Sequence, residues 1–451
     1  MSDPSRPPGP TSYFDVRTLD SLEPRKRDLV RRRIDALGPA YRLFYRDPLE
    51  FVRGSGTRLW TADGTEYLDA YNNVPSVGHA HPRVAAAIAE QAATLSTHTR
   101  YLDARLVDYA EDLLSTMPGG LGHVMLTCTG SEANDLALRL AKSATGGTGV
   151  VVTRNAYHGV STEIASISPS LVGLAGLPPW VRVVPVPDVR QVDDPASFGE
   201  WFAAHVQGAI DDLAAAGIRF AALVADSVFA SDGVFPDPAG FLAPVREVVE
   251  RNGGLYVADE VQPGFGRLGE TMWGFERHGS PAAPFVPDLV TLGKPMGNGY
   301  PVAATVMRPG VAERFGQGMR YFNTFGGNSV AVAAAQATLD VLRDEDLQGN
   351  ALRVGSRFRG QLDDLRADHP RIGEVRGAGL FLALELRTPD DEPDEALCLD
   401  VVNGLERHRI LVGTTNVGND ALKIRPPLCF SDADADRFVE GLDAVLTELG
   451  A

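Results

Sequence analysis

The chain has 451 residues, 44% of them hydrophobic and 22% charged, which is the composition of a globular protein long enough to bury a large core. Its formal net charge of −17 argues against nucleic acid or an anionic membrane as the main partner. The widely spaced Cys128, Cys398 and Cys429 indicate reduced thiols, and without an apolar stretch typical of a signal peptide or membrane span the sequence predicts a soluble cytoplasmic protein.

The N-terminal part begins with residues 1–12, whose Pro, Ser and Gly content predicts a disordered arm. Residues 20–38 carry many charges and a sparse apolar stripe, which indicates a surface helix; its basic cluster could also be a nucleic-acid patch, but charged helix faces are common. Residues 49–70 alternate apolar and polar positions around Asp63-Gly64, which predicts a β-hairpin.

Two histidines follow the predicted hairpin. His79 and His81 flank one alanine and could suggest a metal site, yet no further cysteine, histidine or acid with ligand spacing accompanies them in the sequence. They are therefore interpreted as structural residues. No metal is expected.

The middle of the chain alternates strand and helix patterns, which predicts an α/β fold with a mainly parallel sheet covered on both faces. A Pro-rich connection is expected over residues 178–196. The predicted strands are 123–127, 149–153, 220–225, 255–258, 288–292 and 301–307. The predicted helices are 104–117, 132–143, 199–216, 241–252 and 328–343.

The pattern changes after residue 345 to a charged, helical stretch followed by strands and a final amphipathic helix. The strands are predicted at 379–386, 410–412 and 421–424, and the helix at 432–448. We expect residues 71–344 to form a large domain, and residues 13–70 together with 345–451 to form a smaller α+β domain.

Two of the predicted strands end on chemically active residues. The apolar run 255–258 ends at Asp259, and the next strand leads through Gly293 to Lys294. A pyridoxal phosphate enzyme needs a lysine to bind the cofactor aldehyde and a carboxylate to keep the pyridine nitrogen protonated. Each residue alone has another explanation, because an acid that ends a strand is often a cap and a loop lysine is usually a solvated charge.

The surrounding sequence narrows this choice. The block ADEVQPGFGR, followed by DLVTLGKPMGNGYPVAA, resembles the signature of the class III, fold type I pyridoxal phosphate-dependent aminotransferases. The resemblance implies a large domain with a seven-stranded type of sheet and pyridoxal 5'-phosphate as cofactor. It implies that Lys294 binds the aldehyde, Asp259 pairs with the ring nitrogen, Val261 packs on one ring face and Gln262 hydrogen-bonds the ring hydroxyl.

The turn between strand 123–127 and the following helix reads Thr129-Gly130-Ser131-Glu132-Ala133-Asn134. A glycine and the first amides of a helix can bind an anion there, although the segment could equally be a plain helix cap. Its resemblance to the SGSEAN-type turn of the family implies that Gly130 and Ser131 bind the cofactor phosphate.

Two further segments resemble parts of the family's cofactor site. Tyr157 follows strand 149–153, where the family stacks an aromatic ring on the pyridine, and His158 is its supporting neighbour. The segment YFNTFGG resembles the loop whose threonine, here Thr324, contacts the cofactor phosphate of the neighbouring subunit. This resemblance implies a homodimer or a dimer of dimers, with the active site at the subunit interface.

The reaction depends on the residues around LKIRPP. In most class III aminotransferases, the family that this sequence resembles, an arginine stands three residues before the Pro-Pro pair. Its planar fork can hold a substrate carboxylate there. Lys423 occupies that position here, and its compact charge suits a phosphate better than a planar carboxylate. The alternative is that Lys423 is a solvated strand residue without a binding role. Arg425 would face the same side of a regular strand.

Wider segments, among them LEFVRGSGTRLW, YLDAYNNVPSVGHAHP, VRGAGLFLALEL and LKIRPPLCFS, resemble the phospholyase branch of the family, which acts on ethanolamine phosphate or 5-phosphohydroxylysine. The implied substrate is a small-molecule amine or phosphoamine, from which phosphate is eliminated. We hypothesise that Arg100 and Lys423 bind its phosphate. Asp226 stands where relatives commonly carry a glutamate, and it is counted among the substrate residues.

Two other functions stay open. An ordinary aminotransferase would use the same Lys294 but would require a keto acid. A regulator that senses pyridoxal phosphate would need no turnover, although the intact lysine and the lack of a basic DNA-binding module in the sequence argue against it.

Overall fold

The computed structural model describes residues 13–451, so the predicted disordered arm lies outside the described residues. The α-helices are α1 Pro24–Leu37, α2 Pro82–Thr94, α3 Ala104–Ser115, α4 Gly130–Thr145, α5 Thr162–Ser166, α6 Pro169–Val172, α7 Phe198–Ala215, α8 Ala243–Arg251, α9 Pro309–Gly318, α10 Ser329–Asp344, α11 Leu347–Asp364, α12 Glu395–Arg407 and α13 Asp432–Leu449. None of the helices in the described part of the chain combines the length and the apolar character that crossing a membrane requires.

The strands form one large and two small sheets. They are β1 Phe51–Ser55, β2 Arg58–Thr61, β3 Glu66–Asp69, β4 His123–Thr127, β5 Gly149–Thr153, β6 Val181–Val184, β7 Phe220–Asp226, β8 Leu255–Asp259, β9 Leu289–Leu292, β10 Ala303–Met307, β11 Ile372–Ala378, β12 Phe381–Leu386, β13 Ile410–Leu411, β14 Gly413–Thr415 and β15 Ala421–Ile424.

The large sheet has seven strands in the order β4-β10-β9-β8-β7-β5-β6. Strand β10 runs antiparallel to both of its neighbours, and the other neighbouring pairs are parallel. The predicted α/β fold with a mainly parallel seven-stranded sheet is therefore confirmed. The parallel register sets Asp226, Asp259 and Thr291 side by side, because they pair across the ends of β7, β8 and β9.

Apolar residues on both sides of the strands explain why helices cover both faces of this sheet. Along β7, Ala222 and Val224 belong to the core cluster that contains Leu136 of α4. The intervening Leu223 belongs to the other cluster, together with Phe202 of α7. Because successive strand residues point to opposite faces, both faces are buried, and polar side chains can gather at the strand ends instead.

The two small sheets have the orders β1-β2-β3-β13 and β11-β12-β15-β14. The first joins distant parts of the chain, since Ile410 of β13 pairs in parallel with Leu68 of β3. The hairpin predicted around Asp63-Gly64 is formed by β2 and β3, with Gly64 at a φ of 88° that favours glycine. The boundaries of the two predicted domains stay a prediction.

Several elements differ from the sequence predictions, and one of them is helix α12, which was not predicted. The Pro-rich connection contains the four-residue edge strand β6, which pairs with β5 and is too short to produce a clear alternation pattern between prolines. Helix α9 was not predicted. The charged stretch after residue 345 ends in strand β11, which pairs with β12.

His79 and His81 bind acids of the chain. His79 Nε2 lies 2.7 Å from Asp69 Oδ2, and His81 Nε2 lies 3.0 Å from Glu345 Oε1. Both contacts are consistent with the structural role inferred from the sequence.

Candidate active site

A cavity of about 170 Å³ opens where the ends of β8 and β9 meet the start of α4. It contains all the residues predicted to bind the cofactor except Thr324, and it adds Gly159. The lining residues are Gly130, Ser131, Tyr157, His158, Gly159, Asp259, Val261, Gln262 and Lys294.

Asp259 is held by three donors of the chain. Its Oδ2 lies 2.7 Å from His158 Nδ1 and accepts a hydrogen bond of 2.9 Å from Asn134 Nδ2. Its Oδ1 accepts from the Val261 amide at 3.1 Å. These bonds fix the carboxylate in one orientation at the cavity wall, in the arrangement that a protonated ring nitrogen requires.

Asn134 is a site residue that the sequence reasoning missed. Besides Asp259, its Nδ2 donates to the His158 carbonyl at 2.8 Å, and its Oδ1 accepts from Thr291 Oγ1 at 2.7 Å. One amide therefore ties α4 to the ends of two strands. The available signal was its position one helical turn beyond Ser131, in the same motif as the predicted phosphate turn.

The acid next to Asp259 has a different role. The Glu260 side chain accepts hydrogen bonds from Ser227 Oγ and from the amides of Gly274 and Phe275, and it does not line the cavity. Burial raises its pKa to about 8. Glu260 thus holds the loop that follows β8, while Asp259 serves the cavity.

The turn at the start of α4 brings its backbone close to the ring-facing residues. A Cβ atom at Gly130 would stand 3.0 Å from Val261 Cγ1, and one at Gly159 would stand 2.5 Å from Ser131 Oγ. Ser131 Oγ accepts from the Val160 amide at 3.0 Å, and this fixes its side chain. The close approach favours glycine at both positions and lets the start of α4 line the cavity.

Lys294 lies two residues beyond β9, at the first position of the turn Lys294–Gly297. Burial, and then the charge of Arg425, lower its pKa to about 8. A larger share of this amine is therefore neutral near pH 7 than in an ordinary lysine, and a neutral amine is the form that reacts with an aldehyde.

Lys423 and Asp226 both bond the backbone of Ala230 and do not line the cavity. Lys423 is 7% exposed, and its Nζ donates to the Ala230 carbonyl at 2.7 Å. Asp226 accepts from the amides of Val228 and Ala230 at 2.9 and 3.2 Å. Burial raises the pKa of Asp226 to about 6, while burial and then the charge of Arg425 lower the pKa of Lys423 well below its usual value. Lys423 is thus a buried residue and not a solvated strand residue.

Thr324 and Arg100 do not reach the cavity of their own chain. Both are exposed, and the Arg100 guanidinium stacks 3.7 Å from the ring centre of Phe322. The loop that carries Phe322 and Thr324 is attached to the start of α4, because Asn323 Nδ2 donates to Glu132 Oε2 at 2.9 Å. Both residues therefore face outward on the same surface.

The residues of the cavity fit pyridoxal phosphate. A pyridine nitrogen would find the oriented carboxylate of Asp259, an aldehyde would find the amine of Lys294, and a phosphate would find the glycine-containing turn at the start of α4. Among the described residues, His158 pairs with one acid, Asp259, through its Nδ1 atom. Its other ring nitrogen, Nε2, is buried without a hydrogen-bond partner.

Comparisons with known proteins agree with this reading. The sequence matches the family model Aminotransferase class-III over residues 45–446. It is 38% identical to an alanine–glyoxylate aminotransferase 2-like protein of Drosophila melanogaster, over 97% of this chain and 90% of that protein. It is 36% identical to the ethanolamine-phosphate phospho-lyase homolog 1 of Caenorhabditis elegans, over 98% of this chain and 97% of that protein.

Solved structures add a similar fold with a bound ligand. The structure of a phospholyase from Arthrobacter in complex with phosphoethanolamine superposes with a TM-score of 0.89 and 40% sequence identity, covering 93% of this chain and 99% of that one.

Proposed function

The chain belongs to the class-III aminotransferase family, and we propose that within this family it is a phospholyase that eliminates phosphate from a phosphorylated primary amine such as ethanolamine phosphate. It is an enzyme, and its cofactor is pyridoxal 5'-phosphate. The proposed products are an aldehyde, ammonia and phosphate.

The observation that carries this proposal is Lys423. Its amine is buried and close enough to Lys294 and Arg425 for their charges to affect its pKa, and it stands at the position where most members of the family carry an arginine. An ammonium is a compact charge and provides no planar fork for a carboxylate. The relatives from Caenorhabditis elegans and Arthrobacter, whose names refer to ethanolamine phosphate and phosphoethanolamine, support the same substrate class.

We assign the cofactor-binding roles to the residues that line the cavity. Asp259, held by His158, would keep a proton on the ring nitrogen, and Gln262 would hydrogen-bond the ring hydroxyl. The ring would lie between Val261 and Tyr157. The turn at Gly130 and Ser131 would bind the phosphate. Bound pyridoxal phosphate supplies an electron-accepting ring conjugated with the substrate amine.

Lys294 is the proposed base. Its Nζ takes a proton from the carbon that bears the amine, which a pKa of about 8 allows near neutral pH. The bond between the adjacent carbon and the phosphate oxygen then breaks, and the phosphate leaves with the electron pair. The resulting unsaturated amine reacts with water to give the aldehyde and ammonia. Lys423 offsets the negative charge of the departing phosphate.

We propose that the active unit is a homodimer, or a dimer of dimers, in which Thr324 and Arg100 serve the neighbouring subunit. The two residues share an outward surface with the exposed Phe322 and Phe325, which are 40% and 69% exposed. In that arrangement Thr324 would contact the partner's cofactor phosphate, and Arg100 would contribute to the partner's substrate site. A cytoplasmic location remains part of this proposal.

The second candidate function is amino-group transfer between an amine and a keto acid or aldehyde. Arg425 favours it, because a planar guanidinium beside Gln262 could bind a substrate carboxylate. The Drosophila relative, named as an aminotransferase, is consistent with this alternative.

The experiment is to measure phosphate and ammonia release from ethanolamine phosphate and 5-phosphohydroxylysine by the holoenzyme, without keto acid. We expect equimolar release of both products over many turnovers. Unphosphorylated ethanolamine is the matched substrate control and should give neither phosphate nor sustained ammonia release. No phosphate release, combined with conversion of the cofactor to its amine form by simple amines, would make the enzyme an aminotransferase.

A further inference from the structure

Arg425 follows strand β15 directly and is fixed to the N-terminal part of the chain. Its amide donates to the Ala70 carbonyl at 2.9 Å, and its guanidinium carbon lies 4.8 Å from the ring centre of Tyr71. Pro426 and Pro427 come next and restrict the backbone. The guanidinium is therefore held in one place, and the side chain is 8% exposed.

The charge of Arg425 has no acid partner among residues 13–451. One of its amino groups donates to Gln262 Oε1, and its Nε is buried without any hydrogen-bond partner. The ring of Tyr71 offers only a weak attraction for the cation. A buried guanidinium is costly unless an anion accompanies it, so this arrangement favours a negatively charged ligand.

The acids nearby do not provide that anion. Asp259 is bonded to His158, Asn134 and Val261, and Asp226 accepts two backbone amides of its own loop. The positive charge of Arg425 instead adds to that of its lysine neighbours, since it lowers the pKa of both Lys294 and Lys423. None of these acids therefore bonds the Arg425 guanidinium, which remains available to an anionic ligand.

Arg425 also determines which end of the Gln262 amide faces the cavity. Because a guanidinium only donates hydrogen bonds, Gln262 must present its oxygen to Arg425, and its NH₂ group is left for an acceptor on the cavity side. Gln262 lines the cavity, so Arg425 stands directly behind a residue that would contact the cofactor.

We infer that Arg425 is the residue that selects the substrate's phosphate: it orients Gln262 with one amino group and binds the phosphate oxygens with its remaining N–H donors. This inference rests on the proposed function. The cofactor's own phosphate is assigned to the turn at Gly130, so the anion for Arg425 is the substrate's. A guanidinium suits this task because its fixed fork of donors matches two oxygens of one phosphate.

The test compares holoenzyme with Arg425→Lys and Arg425→Gln, and uses Arg246→Lys as a matched control. Arg246 is a buried arginine that bonds Asp288 and the Val286 carbonyl, away from the cavity lining. For each protein, KM and kcat are measured for phosphate release from ethanolamine phosphate. The inhibition constant of inorganic phosphate is measured in parallel, as is that of β-alanine, whose carboxylate replaces the phosphate at similar chain length.

We expect Arg425→Lys to raise KM about tenfold and Arg425→Gln about 100-fold, with a smaller change in kcat, because charge-assisted hydrogen bonds are lost. The inhibition constant of inorganic phosphate should rise in parallel, and that of β-alanine should change little. Arg246→Lys should leave all four values unchanged. The absorbance of the bound cofactor and the melting temperature show which variants are folded; if Arg425→Gln does not fold, Arg425→Lys decides.

The failure of this inference can be separated from the failure of the proposed function. If wild-type enzyme releases phosphate but the folded Arg425 variants keep their KM and phosphate inhibition within twofold, the role of Arg425 is refuted and the phospholyase stands. A loss of β-alanine binding alone would also refute it, because the anion would then be a carboxylate. If wild type releases no phosphate, the proposed function fails, and phosphate binding to the holoenzyme still tests Arg425.

Discussion

The active site has a cofactor half, around Asp259 and Lys294, and a substrate half, around Lys423, Arg425 and Asp226. The two halves differ in how completely the hydrogen bonds of their polar side chains are satisfied within the chain. In the cofactor half, both carboxylate oxygens of Asp259 are bonded, and Asn134 uses its amide oxygen and its amide nitrogen within the chain. In the substrate half, Arg425 has no acid partner in the described residues and a buried Nε without an acceptor. Lys423 donates a hydrogen bond to a backbone carbonyl, that of Ala230.

This difference indicates which half is organised before ligands bind. A carboxylate held by three donors has its orientation before the cofactor arrives, which is the condition for strong electrostatic assistance. Cations without counterions raise the free energy of the free enzyme and lower it again when an anion enters. Changes in the first half should therefore affect the chemistry with every substrate, and changes in the second half should depend on the substrate's phosphate.

The largest expected effect is that of Lys294→Ala. The variant loses both the amine that binds the cofactor aldehyde and the proposed base, so phosphate release should fall by about 10⁴-fold or more. Lys142→Ala is the matched control, because Lys142 of α4 pairs with Glu163 of α5 and does not line the cavity. Reduction with borohydride followed by peptide mapping should place the cofactor on Lys294 in wild type. Turnover within tenfold of wild type in Lys294→Ala would contradict the assignment.

The next largest effect should come from Asp259→Asn in the cofactor half. An asparagine keeps the size of the side chain but cannot stabilise a proton on the ring nitrogen, so kcat should fall on the order of 10² to 10⁴-fold, equally for ethanolamine phosphate and 5-phosphohydroxylysine, with a smaller change in KM. Asp288→Asn is the control, since Asp288 is also a buried acid but bonds Arg246 and the Tyr256 amide. A rise in KM with an unchanged kcat would contradict the proposed division between the two halves.

The cofactor half was largely predictable from the sequence because its residues stand at the ends of strands. Buried apolar runs identified strands 123–127 and 149–153 with the bounds that the structure has. Once the strands run in parallel, their carboxyl ends meet at one edge of the sheet. The positions of Asp259 and Lys294 therefore follow from local pattern combined with topology, and the motifs around them carried the resemblance to the family.

The contacts that complete the site could not be predicted in the same way. Asn134 reaches Asp259 across 125 positions, and Arg425 reaches Gln262 across 163. Local hydrophobic pattern contains no information on which distant side chains meet. Strand β6 was missed because four residues between prolines are too few to show a period. The roles of Thr324 and Arg100 depend on a second subunit, so they remain predictions.

A smaller and more selective effect is expected for Lys423→Met. The methionine fills a similar volume but removes the charge, so kcat/KM for ethanolamine phosphate should fall about tenfold to 100-fold, while the absorbance of the bound cofactor stays unchanged. Lys26→Met serves as the control, because Lys26 pairs with Asp47 on the surface. Lys423→Arg supplies a planar fork at the same position and should increase the binding of β-alanine. A loss of the absorbance of the bound cofactor would assign Lys423 to the cofactor half.

The smallest expected effect concerns the pH dependence of Lys294, whose pKa is affected by charged residues of both halves. The pKa of Lys294 is lowered from 10.5 to about 8, so the neutral amine increases about tenfold per pH unit below 8 and levels off above it. The rate at which cofactor-free protein takes up pyridoxal phosphate should follow this curve.

Arg425→Gln removes a positive charge and should move the midpoint to higher pH. Asp226→Asn removes a negative charge, since Asp226 with a pKa of about 6 is ionised at pH 8, and should move the midpoint to lower pH. Shifts of opposite sign, each of about one unit or less, would show that charges of the substrate half tune the lysine of the cofactor half. Shifts in the same direction would mean that altered packing, and not charge, controls Lys294.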